Sequence, residues 1–405
     1  MIEKSRLTVK NSLRVFFGLS LLELLGVVVF FLSLPRDPKN VTILGMSYFR
    51  LGVLAISALA FLVVLIVFLV FELRVTRAGE RFKRFAEWLT SDAIYSIATF
   101  LGLNIILSTY LLARWLGFAW IATDMQVRIR PFLGGWLLVC VQLLVVLLVS
   151  RRALRSEQPA PWGEELTARA WPIFRGLLVF ILELYALSLV GQYFRFFTPY
   201  REMLDFAIHE FHLDDEKNFP TFLSMAEMAI AVILMLYLGI RTIVRREKFA
   251  FHWIFMAAIF VFLAFDEYME LHEQLGVIIR DYVDLKGFLN FAWYLPVIPV
   301  LLILFLVYLP FLRGMTPKLR NRIILGGAVF VFGSIGLESV GSKVINDGLA
   351  TFFQFVMLAN VEETVELIGM AIYVGALLQA IHEKLESVRN QATIAQRVKE
   401  LSHVE

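Results

Sequence analysis

The residues with the most chemistry to offer are acids at the end of an apolar run. The stretch Phe265-Asp266-Glu267-Tyr268-Met269-Glu270-Leu271-His272-Glu273 follows directly on an apolar segment that begins at Phe251. Ionisable groups at or inside a bilayer are costly unless they pair, bind a cation or face water. On one continuous helix, Asp266, Glu270 and Glu273 share a face by their four- and three-residue spacing, with Glu267 to one side. His272 then points roughly the other way. The spacing predicts a carboxylate stripe rather than a Glu/His metal pair.

Other acids recur near the same level. Glu362, Glu363 and Glu366 stand at the start of the last apolar segment, Glu338 near the end of the one before it, and Glu227 in an earlier one. A polar loop carries Asp205, His209, His212 and Glu216, which share a face if that loop is helical. Carboxylates and imidazoles at such spacings suit zinc, iron or manganese. The metal ligands expected on this reading are Asp266, Glu270, Glu273, Glu362, Glu363, Glu366, His209 and His212. Glu267 or Glu338 is left as a general base toward an activated water. The bland alternative is that the acids are solvated or form structural ion pairs with Arg195, Arg201, Arg280 or Lys343.

The elements that must position these groups are membrane helices. The chain has 405 residues, of which 59% are hydrophobic, and a mean hydropathy of +0.74. That composition excludes an ordinary soluble domain and predicts an all-α, polytopic transmembrane bundle. The net charge of +3 is small, and its positive residues sit in short loops, which argues against nucleic-acid binding. One cysteine, Cys140, excludes a disulfide framework within the chain.

Apolar runs at residues 13–34, 49–71, 94–117, 132–150, 172–193 and 221–240 read as spans, as do runs starting at Ala250, Asn290 and Ile323 and one ending at Ile381. The first run is read as a retained span. Counting alternating loops, the Lys/Arg-rich ones all fall on the side of the N-terminus, so the positive-inside rule predicts about ten spans with both termini cytoplasmic. The membrane expected is a plasma or bacterial inner membrane. Phe82, Phe85, Trp88 and Leu89 suggest an amphipathic surface helix between the second and third spans. Three parts are expected: residues 1–170, with about four spans and basic loops; 171–381, with about six spans and the acids; and a helical tail at 382–405, a possible site for a protein partner. Gly326, Gly327, Gly333, Gly336 and Gly341 in the ninth span permit close helix approach. Glu23 and Glu183 sit mid-span, as helix contacts or steps in a proton path.

No Walker loop, GxSxG, HExxH or CxxC occurs. Three functions fit. The first is a metal-dependent enzyme acting at the outer face on a lipid or lipid-linked substrate. The second is a cation- or proton-coupled transporter or channel. The third is a non-catalytic subunit or sensor whose acids are paired with arginines.

Overall fold

The computed structural model describes residues 42–43, 46–47, 94–117, 140–141, 144, 167–199, 205 and 208–401. The expected spans at 13–34 and 49–71, most of that at 132–150, the surface helix at 82–89, and Glu23 and Arg201 lie outside the described residues. The chain divides into two compact units, Met1–Pro159 and Ala160–Glu405.

In the first unit, the two-residue strands β1 (Thr42–Ile43) and β2 (Met46–Ser47) pair antiparallel. Helix α1 covers Ile94–Gly117. Its Asn104 is fully buried and donates from Nδ2 to the Phe100 carbonyl one turn back, a local answer to a polar group in an apolar helix.

The second unit is helical among the described residues. Its helices are α2 (Ala170–Phe197), α3 (Phe219–Val244), α4 (Ala250–Met269), α5 (Leu271–Tyr282), α6 (Tyr294–Arg313), α7 (Pro317–Val331), α8 (Glu338–Asn346) and α9 (Phe352–Leu401). A six-residue π segment, Phe332–Leu337, joins α7 to α8 without a break. Six stretches are long and apolar enough to cross a membrane: α2, α3, α4, α6, the α7–α8 run, and residues 352–391 of α9.

Helix starts follow local chemistry. Asn218 caps α3 by accepting from the Thr221 amide, with Pro220 in the first turn. Thr316 caps α7 in the same way, ahead of Pro317. The sequence places the last span's entry near Glu362, with residues 349–361 outside it. Instead α9 begins at Phe352 and runs unbroken through the tail to Leu401.

Helix α9 is the centre of the bundle. Its apolar window is 67% buried, against 17% for α4 and α6. The core joins Met228, Met235 and Leu238 of α3, Trp253 and Phe260 of α4, Phe311 of α6, Ile323 of α7, and Met370, Tyr373 and Leu377 of α9. In lipid such contacts act through close packing rather than through removal from water. Phe260 stacks on Tyr373 at 5.0 Å between ring centres, and Trp253 meets Phe311 edge-on at 4.8 Å.

Glycines set how near α7 and α9 approach. A Cβ on Gly369 would stand 2.5 Å from the Phe330 amide nitrogen, and one on Gly326 would stand 2.8 Å from that of Tyr373. The small residues of this segment therefore act as a packing seam, as expected from the sequence.

The two ends of the bundle differ in charge. At the end where α3 finishes and α4 starts, Arg241 donates to the Lys384 carbonyl at 2.7 Å, Lys384 pairs with Glu247, and Arg322 donates to Gln379. The Arg322 guanidinium also lies 3.8 Å from the Trp171 ring centre. The opposite end, where α4 finishes and α9 starts, collects the acids.

Candidate functional site

The helix carrying Asp266 and Glu267 does not continue as the stripe requires. Helix α4 stops at Met269, and Glu270 takes a left-handed backbone with φ of 53° before α5 starts at Leu271. Nothing in Met269-Glu270-Leu271 announces this break, since only glycine adopts that conformation freely. The break folds α5 back, so that His272 meets Asp266 instead of pointing away from it. The His272 amide donates to Asp266 Oδ1 at 2.9 Å, and its Nδ1 lies 3.0 Å from Asp266 Oδ2. Asp266 thus accepts from an amide in the first turn of α5 and orients the imidazole. Glu270 turns out to Lys217 Nζ at 3.2 Å, and Glu273 is exposed in the first turn of α5.

The ring of His272 lies 5.1 Å from that of Trp293, whose indole Nε1 donates to both oxygens of Glu338 at 2.8 Å. Trp293 is held from beneath. Ser342 of α8 accepts from the Phe291 amide at 3.2 Å and donates to the Gly287 carbonyl at 3.0 Å. Gly276 of α5 is pressed on the same segment, where a Cβ would stand 2.3 Å from the Phe291 carbonyl oxygen.

Glu362, Glu363 and Glu366 are half-buried on α9, and each can offer one oxygen such that all lie within 4.8 Å of one another. Gly333, at the start of the π segment, makes the room. A Cβ there would stand 2.6 Å from Glu366 Cγ. π segments recur at functional sites because they offset side chains from the regular helical register. The carboxylates of Glu267, Glu362, Glu338 and Asp266 all act electrostatically on Glu366, and those of Glu366, Glu267, Glu362 and Asp214 on Glu363. Ser224 of α3 is a polar neighbour of Glu267. Acids from the 208–218 loop, α4, α8 and α9 therefore converge at one end of the second unit.

Among the described residues, no lysine or arginine pairs with Asp266, Glu267, Glu338, Glu362, Glu363 or Glu366. Arg280 instead donates to the Asn290 carbonyl, and Lys343 pairs with Asp347 at 3.1 Å.

The two loop histidines do not form the helical face with Glu216 that their spacing predicts. The helical turn carrying His209 ends at Phe211, so Glu216 cannot share its face. Asp215 takes both rings, with its oxygens 2.9 Å from His209 Nδ1 and 2.8 Å from His212 Nδ1. Asn218 locks this loop by donating to the His209 and His212 carbonyls at 3.0 and 2.6 Å.

The groups outside the spans show the field of the cluster. Burial, followed by the charges of Glu267, Glu270 and Glu273, pushes Glu216 up to about 7. Burial pushes Asp214 up to about 6, against the pull of His212. Burial works against the His272 cation, but the hydrogen bond to Asp266 and the charges of Asp266, Glu338 and Glu273 outweigh it and raise His272 to about 9. For Asp215, burial is outweighed by the His212 and His209 rings against its oxygens, which hold it below the usual carboxylate range.

Sequence spacing did not find the Asp266–His272 and Trp293–Glu338 contacts, because both depend on the reversal at Glu270 and on the segment between α5 and α6.

The apolar helices define a multi-pass integral membrane protein. The chain belongs to the family described as Domain of unknown function (DUF8692), which matches residues 175–380, about half of the chain. That span contains all the acids of the cluster. No curated protein and no solved structure matches the chain.

Proposed function

We propose that the acidic end of the second unit holds a divalent cation and that the protein is a metal-dependent enzyme acting on a lipid or lipid-linked substrate. What carries this reading is the gathering of Glu362, Glu363 and Glu366 ligand oxygens within 4.8 Å, with Glu267, Glu338 and Asp266 in electrostatic reach. Several carboxylates so close and partly out of water, with His272 on Asp266 as the one basic side chain paired to them among the described residues, need protons or a cation between them. The triad is all oxygen. Of zinc, iron and manganese, such a donor set suits manganese best, and magnesium or calcium suit it as well.

A bound cation would supply Lewis acidity toward a substrate oxygen or a water. Glu338, its oxygens held by Trp293, and Glu267 are the groups proposed to take a proton from that water. His272, oriented by Asp266, is placed to return one to a leaving group. Glu270 and Glu273 sit at the rim, and His209 and His212 shape the loop above.

The test is elemental mass spectrometry on purified wild type beside a Glu363→Gln/Glu366→Gln double variant, with phospholipid vesicles then screened for turnover. One equivalent of a divalent metal in wild type and its loss in a folded double variant are expected. Metal-free wild type after incubation with manganese, magnesium, calcium, zinc and iron would overturn the reading.

One observation favours a second reading, a proton- or cation-coupled transporter. Glu227 of α3 is 3% exposed, and neither of its oxygens has a hydrogen-bond partner. A buried carboxyl in that state is suited to carry a proton. Proton flux in vesicles that is lost in Glu227→Gln would favour it.

A further inference from the structure

We infer that α5 is an interfacial helix, lying along the membrane surface with the stripe Leu271, Leu275, Ile278 and Tyr282 in the lipid boundary. The spacing of these residues is four, three and four, which puts them on one helical face. All are exposed, Tyr282 by 85%. The adjacent face is already used: His272 is bound to Asp266, Gly276 is pressed on the Phe291 carbonyl, and Arg280 donates to the Asn290 carbonyl at 3.0 Å. These ties fix the roll of the helix, so the apolar stripe cannot turn inward. Glu273, Gln274 and Asp281 stand exposed on the remaining side, where Val277 is the one exposed apolar residue.

What covers the stripe follows from continuity. Helix α5 begins one residue after a span ends, and the last turn of that span exposes Phe265, Tyr268 and Met269. The segment after α5 exposes Phe288 and Leu289 before the next span starts at Tyr294. An exposed apolar stripe about 18 Å long, set between two spans and backed by acids, has the form of a helix lying in the plane of the interface. The placement itself does not depend on a cation. Its consequence rests on the proposed function: His272 is on this helix, so the acids sit at headgroup depth, and a lipid substrate reaches them beside α5 without leaving its leaflet.

Single spin labels at Leu275→Cys, Ile278→Cys, Tyr282→Cys, Gln274→Cys and Asp281→Cys, in a Cys140→Ser background, test the placement. The protein is reconstituted in phosphatidylcholine/phosphatidylglycerol vesicles. Power saturation is then read with oxygen and with a water-soluble nickel chelate. Labels at 275, 278 and 282 are expected to favour oxygen, and those at 274 and 281 to favour nickel. The inference is overturned by nickel access at all five positions, which means water, or by access of neither reagent to the stripe, which means a second copy of the chain. The stripe positions are labelled separately, so loss of one variant leaves two readings. Metal content of the same samples reports on the cation independently.

Discussion

Replacing Gly333 by alanine tests whether the seam between α7 and α9 sets the geometry of the acids. The new Cβ would stand 2.6 Å from Glu366 Cγ, 3.2 Å from the Glu362 carbonyl oxygen and 3.2 Å from the Glu366 amide nitrogen. The Cγ can swing away, but only by carrying its carboxylate out of the triad. The backbone contacts need a shift of a few tenths of an ångström. One methyl against one movable atom belongs at the lower end of overpacking costs, about 1 kcal/mol. Gly369→Ala meets the Phe330 amide nitrogen at 2.5 Å, its Cα at 2.8 Å and its Cβ at 2.9 Å, where no side-chain rotation helps. Its cost should reach the upper end, about 3 kcal/mol. Gly327→Ala meets nothing within 4 Å and should match wild type or gain from helix propensity, by up to about 1 kcal/mol. Unfolding in detergent, followed by tryptophan fluorescence, should rank the variants 369 below 333, 333 below wild type, and 327 at or above wild type. Gly333→Ala should also weaken manganese binding more than its stability loss explains. If Gly369→Ala melts with wild type, or Gly327→Ala falls as far as Gly369→Ala, the close approach is wrong.

Trp293→Phe removes the donor to both oxygens of Glu338 and should cost about 1.5–3 kcal/mol in the same unfolding assay, the range for hydrogen bonds to charged groups. Asp215→Asn withdraws the charge shared by His209 and His212, so limited proteolysis should cut within 208–218 faster while the unfolding of the bundle changes little. Glu216 has a folded value of about 7 against an ordinary 4.5, so the folded state holds its proton more tightly. Its contribution is present below 4.5 and lost as pH rises to 7. Metal-free protein should therefore lose stability between pH 5 and about 8, and Glu216→Gln should flatten that slope.

Much of the second unit is legible in the sequence, because crossing a bilayer demands long apolar runs. The runs starting at Ala250 and near Asn290 become α4 and α6. Span length alone puts Glu338, Glu362, Glu363 and Glu366 at one level, and the last three can bring one oxygen each within 4.8 Å of one another. Helical periodicity fails at Glu270, where a non-glycine residue takes a left-handed turn without any marker in its neighbours. Everything downstream of that turn, including the His272–Asp266 contact, is tertiary. The same holds for the loop histidines, whose partner Asp215 lies beyond the end of their helical turn. The π segment is also silent, since Phe332–Leu337 differs little in composition from the helix before it. The early start of α9 is marked by Thr351, whose Oγ1 accepts from the Gln354 amide at 3.3 Å, a capping signal that counting back a span length from Ile381 passes over.

The central claim is that acids of α4 and α9 share one site. Its most direct measurement is a manganese titration by electron paramagnetic resonance on wild type, Glu267→Gln, Glu366→Gln and the double variant, all shown to be folded. A shared site predicts weaker binding in each single variant and a coupling between them of at least about 0.5 kcal/mol. Additive losses within about 0.3 kcal/mol, or no manganese uptake by wild type, would contradict it.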